Sequence, residues 1–184
     1  MTYVVLRCVI AFIAIAPLSS AIAATLLEGW VVGVADGDTL TILDENRQQH
    51  KIRLAQIDAP ESGMPYGRVA KKALSDAVYR RTVTVQAGEL DRYGRVLGTV
   101  YLDQKNINLQ MVASGYAWAY RRYVTDIAYC RAEAQARDSR RGLWAEKKPI
   151  PPWQWRRMKR ASRSSPPQGA SGFVAPCDIR SRSR

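Results

Sequence analysis

The chain has 184 residues, 47% of them hydrophobic, which is enough for one ordinary core and too short for two sizeable ones. We therefore expect one domain with flanking segments. Lys and Arg outnumber Asp and Glu by 28 to 16, and the net charge of +12 favours polyanionic partners such as nucleic acid or an anionic membrane. Because a basic excess also aids solubility, charge alone does not choose among these alternatives. The single histidine, His50, excludes a histidine-rich metal centre.

Residues 1–23 have the composition of a secretory signal peptide. Arg7 gives a positive start, residues 8–18 are apolar, and small residues precede a cleavage position after Ala23. An uncleaved membrane anchor is the alternative, but this apolar run is shorter than the roughly 20 residues that span a bilayer. We expect cleavage, export to the periplasm or the medium, and no stable membrane span afterwards.

The cysteines fit an exported protein. Cys8 would leave with the signal peptide, so that Cys130 and Cys177 remain as an even pair in an oxidising compartment. We expect a disulfide that attaches the C-terminal tail to the domain. Two free thiols are the alternative.

The first elements after the signal are β-strands. Residues 28–43 predict a hairpin, because apolar residues alternate on both sides of a turn at residues 35–38. Alternation returns over residues 51–57 and predicts a third strand. Residues 59–65 contain two prolines, which lack a ladder donor and restrict the residue before them, so this segment is predicted to be a loop.

The second half of the domain mixes helices with a further hairpin. Apolar residues at helical spacing, β-branched runs and glycine stops define its elements. In chain order these are a helix at 69–78, strands at 82–87 and 96–102 around a turn at 91–95, and helices at 106–114 and 126–141. Five strands with interleaved helices indicate a small closed barrel.

The composition changes beyond Trp144. Residues 147–184 form a basic tail rich in Pro, Arg and Ser, in which we expect order to fade. From Pro149 onward it has eight basic residues and one acidic residue, Asp178. Such a tail is able to bind nucleic acid without sequence preference, and a solvated tail without a partner is the alternative.

Several carboxylates lie at turns rather than on solvated helix faces. They are Asp36 and Asp38 in one tight turn, Asp58 at a strand end and Glu61 after a proline. Ca²⁺ takes about six to eight oxygen ligands, so two carboxylates with a backbone carbonyl and waters would hold it. An Asp-Gly turn by itself more often binds only its own backbone.

Two arginines are candidates for phosphate binding. Arg53 lies within the third strand on the face opposite the apolar residues, and Arg95 follows Gly94 in a turn. A planar guanidinium holds a phosphate by two parallel hydrogen bonds and stabilises extra negative charge on five-coordinate phosphorus. Taken singly, each position is more often an ordinary surface arginine.

Three linked motifs together resemble the staphylococcal (thermonuclease) nuclease family. They are VADGDTL at 34–40, IRLAQIDAPE at 52–61 and DRYGR at 91–95, in the family's order and spacing. The likeness extends from Trp30 to Trp144, with EAQA at 133–136 and GLW at 142–144 matching the last helix. It assigns residues 24–146 to a nuclease-like domain and leaves the signal and the tail outside.

The resemblance implies a mainly β fold with helices, a five-stranded barrel of the OB type with about three α-helices. It implies that Asp38, Asp58 and the backbone carbonyl of Ala59 hold Ca²⁺. Ala59 stands where the best-known member of the family has a hydroxyl residue, but a backbone ligand survives that change. The loop after Glu61 also departs from the family, because it is short and carries Met64, Pro65 and Tyr66, and it leaves substrate length and base preference open.

The same resemblance implies a mechanism and a partner. Glu61 would be the base that activates water for in-line attack on phosphorus, and Arg53 and Arg95 would hold the phosphate, leaving a 3′-phosphate product. Tyr93 and Tyr120 would stack on or bond the nucleotide, although core packing is the simpler explanation for Tyr120. The expected substrate is DNA or RNA, with single strands favoured, and the expected state is a monomer.

Two other functions compete with this prediction. OB barrels commonly bind single strands without catalysis, so a non-catalytic nucleic-acid-binding protein is the main alternative. A basic protein of the envelope or membrane surface is the other. The presence of Arg53, Glu61 and Arg95 together favours the enzyme.

Overall fold

The computed structural model describes residues 25–164 and Cys177. The expected signal peptide, residues 1–23, lies outside the described residues, as do residues 165–176 and 178–184 of the tail. Among the residues that are described, no helix is both long and apolar enough to cross a bilayer.

The described chain contains eight strands, four α-helices and one short 3-10 helix. Three of the strands have only two residues each. In chain order the elements are β1 Thr25–Asp36, β2 Thr39–Leu43, β3 Gln49–Leu54, β4 Ile57–Asp58, α1 Gly67–Val78, β5 Thr82–Leu90, β6 Val96–Leu102, β7 Lys105–Asn106, α2 Ile107–Ala113, β8 Trp118–Ala119, α3 Ile127–Asp138, the 3-10 helix Gly142–Ala145 and α4 Pro152–Ser164.

The five long strands close into a barrel. β1 pairs antiparallel with both β2 and β5, β2 pairs with β3, and β5 pairs with β6. The parallel pairing of β3 with β6, in register at Ile52 with Val96, closes the ring. This confirms the predicted five-stranded OB-type barrel and the mainly β class with helices.

Alternation along the strands fills the barrel. Leu40 and Ile42 of β2 and Ile52 and Leu54 of β3 are fully buried, whereas Arg53 projects from the opposite face of β3. Successive side chains of a strand point to opposite faces, so the same pattern that builds the core presents Arg53 outside it. The catalytic candidate on β3 is therefore positioned by core packing.

The predicted third strand differs from the observed one. β3 ends at Leu54, Gln56 adopts a left-handed backbone with φ of 66°, and β4 pairs with β8. The Oε1 atom of Gln56 accepts the backbone N–H groups of Thr125 and Asp126, each at 2.8 Å, at the start of α3. This long-range contact breaks the alternating segment in two and turns Asp58 toward the barrel end.

The tail also differs from the prediction. Residues 152–164, where order was expected to fade, form α4, so that there are four α-helices instead of about three. The ring of Trp153 packs edge-on against Trp118, with centroids 5.6 Å apart. It stacks on Tyr120 with centroids 5.5 Å apart and an interplanar angle of 12°. Aromatic burial therefore offsets the entropy of ordering this basic segment.

A disulfide joins the far end of the tail to the domain. Cys130 on α3 is bonded to Cys177, with the two Cα atoms 5.2 Å apart. α4 thus lies inside a covalent loop that begins and ends on the described domain.

Candidate active site

The turn between β1 and β2 gives its two aspartates different roles. Asp36 Oδ1 accepts the backbone N–H of Asp38 at 3.1 Å, the local bond expected for an Asp-Gly turn. Asp38 itself is only 5% exposed and points inward. A Cβ atom at Gly37 would lie 2.7 Å from the Cβ atoms of both Ala59 and Ala70, so glycine allows this turn to pack against the site.

The carboxylate of Asp38 is held by the loop that follows β4. Its Oδ2 accepts the backbone N–H of Ala59 at 2.6 Å, and its Oδ1 accepts the Thr39 hydroxyl at 3.2 Å. The two family motifs that contain Asp38 and Ala59 are therefore joined directly. Asp58, which precedes Ala59, is 1% exposed and belongs to the same cluster.

Arg53 links the two buried carboxylates. Its Nη2 lies 3.1 Å from Asp38 Oδ2 and 3.1 Å from Asp58 Oδ1. Its Nη1 donates to the carbonyl oxygens of Leu54 at 2.7 Å and Ile57 at 3.0 Å. Four contacts thus fix the guanidinium. A side chain that binds a phosphate in one orientation needs to be fixed in this way.

Burial and mutual repulsion disfavour the charged forms of the two aspartates. Burial raises the pKa of Asp38 to about 7, with the charges of Asp36 and Asp58 acting in the same direction and Arg53 acting against it. Burial also raises the pKa of Asp58, against the effect of Arg156 and Arg53. Two crowded carboxylates in a dry setting are stabilised by an added cation.

Glu61 lies at the rim of this cluster. Its side chain is 41% exposed, whereas Asp38 and Asp58 are almost fully buried. It connects to Asp58 through Arg156 of α4, whose Nη1 lies 3.2 Å from Glu61 Oε1. A half-exposed carboxylate beside a buried acidic pair has access to solvent and to the space above the pair.

Arg156 is the site residue that the sequence analysis missed. Its Nη2 donates to Asp58 Oδ2 at 2.7 Å, and its Nη1 lies 3.3 Å from Asp58 Oδ1. The sequence does contain a weak signal, because Trp153 and Arg156 are three positions apart and share a helical face.

Arg95 is oriented by Asp91 at the other side of the site. Asp91 Oδ2 accepts from Nε at 2.8 Å and lies 2.7 Å from Nη2. Asp91 Oδ1 accepts the backbone N–H groups of Tyr93 and Arg95, at 2.8 and 3.0 Å. Gly94 supplies the positive φ of 74° that closes the turn. Asp91 is a positioning residue that the sequence analysis did not single out.

A cavity of about 290 Å³ adjoins Arg95. The ring of Tyr93 is 68% exposed and lies under the guanidinium groups of Arg92 and Arg95, at 4.7 and 5.4 Å. The cavity offers one aromatic side chain and two cationic groups, those of Lys51 and Arg95, to a flat, anionic ligand. The lining residues are Ala35, Asp36, Thr39, Lys51, Tyr93 and Arg95.

The predicted site residues are therefore gathered at one end of the barrel, with different degrees of contact. Asp38, Arg53 and Asp58 touch one another, and Glu61 joins them through Arg156. The Nη1 atom of Arg95 reaches Thr39 Oγ1 at 3.5 Å, next to Asp38 in the chain. Tyr120 is half-buried and covered by Trp153 instead of belonging to the core.

The donor set fits a hard cation. Within residues 25–164 and Cys177, no group of three or more Asp, Glu, His or Cys is arranged to hold a metal by side chains alone. Asp38 and Asp58, however, each place one oxygen 3.1 Å from the same nitrogen of Arg53, so both carboxylates share one small region. With backbone oxygens and water, this is a ligand set of the type Ca²⁺ uses.

The fold and the site together define a class of protein. A closed barrel with a buried acidic pair, a more exposed carboxylate and arginine forks at one end has the groups that phosphodiester hydrolysis needs: a base, charge neutralisation and phosphate orientation. The comparisons with known proteins lead to the same class.

The family model described as "Staphylococcal nuclease homologue" matches residues 51–146. The chain is 47% identical over 130 residues to an "Uncharacterized endonuclease" of Haemophilus influenzae, covering 71% of this chain and 73% of that protein. It is 45% identical over 143 residues to a "Micrococcal nuclease" of Shigella flexneri, covering 72% and 82%. An "Uncharacterized endonuclease" of Escherichia coli is 45% identical over 134 residues, covering 72% and 87%.

The chain belongs to the staphylococcal nuclease family. It is a nuclease, and thus a phosphodiester hydrolase whose substrate is nucleic acid.

Proposed function

We propose that the protein is an exported, Ca²⁺-dependent endonuclease that cleaves DNA or RNA and leaves 3′-phosphate ends. The observation that carries this proposal is the convergence of Asp38 and Asp58 on one nitrogen of Arg53, at 3.1 Å each. Two buried carboxylates and a fixed guanidinium in contact provide both a cation site and a phosphate site within a few ångströms of each other.

The cation would be held by Asp38, Asp58 and the carbonyl of Ala59. When bound, Ca²⁺ supplies Lewis-acid neutralisation of the phosphate charge. Burial disfavours the charged forms of two adjacent carboxylates when no cation is present. It therefore makes the binding of a cation to the two charged carboxylates favourable. Oxygen ligands without histidine or thiolate favour Ca²⁺ over the softer transition metals.

Glu61 is the proposed general base. Its side chain is exposed enough to meet a water molecule. Glu61 and Asp58 contact the same guanidinium group, that of Arg156. In our proposal Glu61 removes a proton from the water as the oxygen attacks phosphorus in line with the leaving 5′ oxygen. The P–O5′ bond breaks, the 5′ oxygen gains a proton, and the phosphate stays on the 3′ oxygen.

Arg53 and Arg95 are the proposed phosphate clamps. Arg53 is held by backbone carbonyls and the acidic pair, and Arg95 by Asp91, so neither must be ordered when the substrate arrives. The N–H groups that these contacts leave unused would bind non-bridging phosphate oxygens and stabilise the additional charge of five-coordinate phosphorus. Preorganised donors of this kind cost little reorganisation in the transition state.

Tyr93 is the proposed stacking surface for a base, and Tyr120 a second contact when it is accessible. The exposed ring of Tyr93 beside the 290 Å³ cavity supports this role, since single-stranded bases stack on aromatic side chains. A single strand presents its bases for such stacking, which favours single-stranded substrates. We propose that the protein acts as a monomer.

Export is proposed from the composition of residues 1–23 and agrees with the pairing of Cys130 with Cys177. The N-terminal mass of the protein recovered from the periplasm or medium tests it. A mature chain that begins near Ala24 is the expected result, and an intact Met1 would contradict it.

A digestion assay tests the proposed nuclease function. Mature protein is incubated with single-stranded DNA and RNA in Ca²⁺, with and without excess chelator, and product ends are identified. We expect cleavage only with Ca²⁺ and products with 3′-phosphates. Cleavage unaffected by chelator would remove the metal role, and strand binding without any cleavage would favour the non-catalytic alternative.

A further inference from the structure

α4 places an arginine on the two carboxylates that the proposed mechanism needs free. Arg156 contacts both oxygens of Asp58, at 2.7 and 3.3 Å, and Glu61 Oε1 at 3.2 Å. Asp58 is 1% exposed, so the carboxylate of this charge pair lies inside the site. One guanidinium thus bridges a proposed metal ligand and the proposed base.

The same face of α4 covers the aromatic part of the site. Trp153, three residues before Arg156, stacks on Tyr120 and meets Trp118 edge-on. Trp153 and Arg156 therefore act together as one covering element, which we call the α4 strap. The following residue, Arg157, is exposed.

The contacts of Asp58 make Arg156 and a metal ion alternatives. Asp58 Oδ1 already accepts from Arg53 and lies near Arg156, while Oδ2 accepts from Arg156. A further cation at these oxygens would meet the guanidinium charges of Arg53 and Arg156 at short range, and the contacts leave unused only one lone pair, on Oδ2. Cation binding to Asp58 therefore requires Arg156 to leave.

The electrostatics of Arg156 agree with this geometry. An arginine guanidinium stays protonated throughout the ordinary pH range, and this one is held by both oxygens of Asp58. The arginine therefore remains charged and stands where a cation is favoured. Because its side chain is 32% exposed, the pair is also open to solvent competition.

We propose that the α4 strap is an autoinhibitory element whose Arg156 occupies the cation position and competes with Ca²⁺ for Asp58. The inference rests on the proposed metal role of Asp58. In the closed state the base is bridged and Tyr120 is covered; in the open state both are released. Cys177 lies beyond α4 in the chain and is bonded to Cys130 on α3, so an opened strap stays attached at both ends and recloses at high effective concentration.

Calcium affinity in the absence of substrate tests the strap. Mature wild type, Arg156→Gln and the matched control Arg157→Gln are titrated with CaCl₂ by calorimetry at fixed ionic strength. The two variants lose the same charge from neighbouring positions of one helix. We expect Arg156→Gln to bind Ca²⁺ about tenfold more tightly, within the range of site-to-site couplings, and Arg157→Gln to match wild type.

A second variant keeps the test informative if Arg156→Gln does not fold. Arg156→Lys keeps the charge but cannot span both oxygens of Asp58, so its Ca²⁺ affinity should lie between those of wild type and Arg156→Gln. Thermal melting of each variant verifies the fold. The Ca²⁺ concentration for half-maximal cleavage should shift in the same order.

The outcomes separate the two proposals. Equal Ca²⁺ affinity in wild type and in both Arg156 variants overturns the strap and leaves the metal role intact. Weaker Ca²⁺ binding by Arg156→Gln also overturns the strap and shows that Arg156 favours Ca²⁺ binding. Absence of Ca²⁺ binding in every protein removes the proposed metal role, and the strap with it.

Discussion

Asp91 holds Arg95 from one side, with a single carboxylate oxygen 2.8 Å from Nε and 2.7 Å from Nη2 of the guanidinium. The contact leaves Nη1 directed toward Thr39, beside the acidic pair. Because Asp91 also accepts two backbone N–H groups of its turn, it fixes both the loop and the arginine. A residue outside the proposed reaction thereby sets the direction of one phosphate clamp.

Replacing Asp91 with Asn should impair catalysis without removing any reacting group. The amide offers a weaker acceptor to Arg95, so the clamp loses its fixed orientation, and we expect kcat to fall about tenfold or more. Steady-state kinetics on a single-stranded oligonucleotide measure this, with the exposed Asp76→Asn as control. Unchanged kcat in Asp91→Asn would show that Arg95 is positioned by other means.

The same pair should contribute to stability toward acid. Burial acts to raise the pKa of Asp91, but hydrogen bonds from the backbone and side chain of Arg95 lower it below the ordinary value of 3.8. A carboxyl with a lowered folded pKa stabilises the fold above its unfolded pKa, and this stabilisation is lost as the pH falls through the folded pKa. Urea unfolding between pH 5 and pH 2.5, expressed as the free energy of unfolding, should decline less steeply for Asp91→Asn than for wild type. The same pH dependence of the free energy of unfolding in both proteins would contradict the proposed role of Asp91 in acid stability.

Changing Glu61 to Gln should slow the chemical step while leaving the site assembled. The amide keeps the size of the side chain but takes up no proton, and loss of a general base typically costs about 10² to 10⁴ in rate. Single-turnover cleavage measures this, with substrate and Ca²⁺ affinities as internal controls. The exposed Glu28→Gln serves as the matched variant. Normal turnover by Glu61→Gln would exclude it as the base.

Replacing Arg53 or Arg95 with Lys should reduce kcat although the charge is kept. A single ammonium group cannot reproduce a two-point contact with phosphate or the several contacts that fix Arg53. We expect losses of about 10² or more for each, as for removal of one preorganised donor. Arg68→Lys, at an exposed position, is the control. A double Lys variant with normal activity would contradict the clamp.

The disulfide should be detectable in the mature protein and should stabilise it. Mass measurement after alkylation without reductant should show no free thiol at Cys130 or Cys177. Because the bond closes a long chain segment, its reduction should lower the free energy of unfolding by about 2–4 kcal/mol. Two alkylated thiols in the untreated protein would exclude the bridge.

Much of the barrel was predictable from the sequence, and so were most of the residues of the proposed site. Period-two alternation fixes which side chains of a strand face the core, so that the buried Ile52 and Leu54 already imply an outward Arg53. The three motifs identify Asp38, Glu61 and Arg95, because each motif is a short, local pattern at a turn or strand end. Such signals need only neighbouring residues to be read.

Contacts between distant residues were decided by the tertiary structure alone. The hydrogen bonds of Gln56 to the start of α3 split a strand that alternation had made continuous. Asp36 and Asp38 are two residues apart but differ in role. Asp36 binds only the backbone of its own turn, whereas Asp38 is a buried carboxylate because it accepts the backbone N–H of Ala59. Arg156 reaches Asp58 across 98 positions. Alternation and turn signals act within a few residues, whereas each of these contacts depends on which surfaces folding brings together.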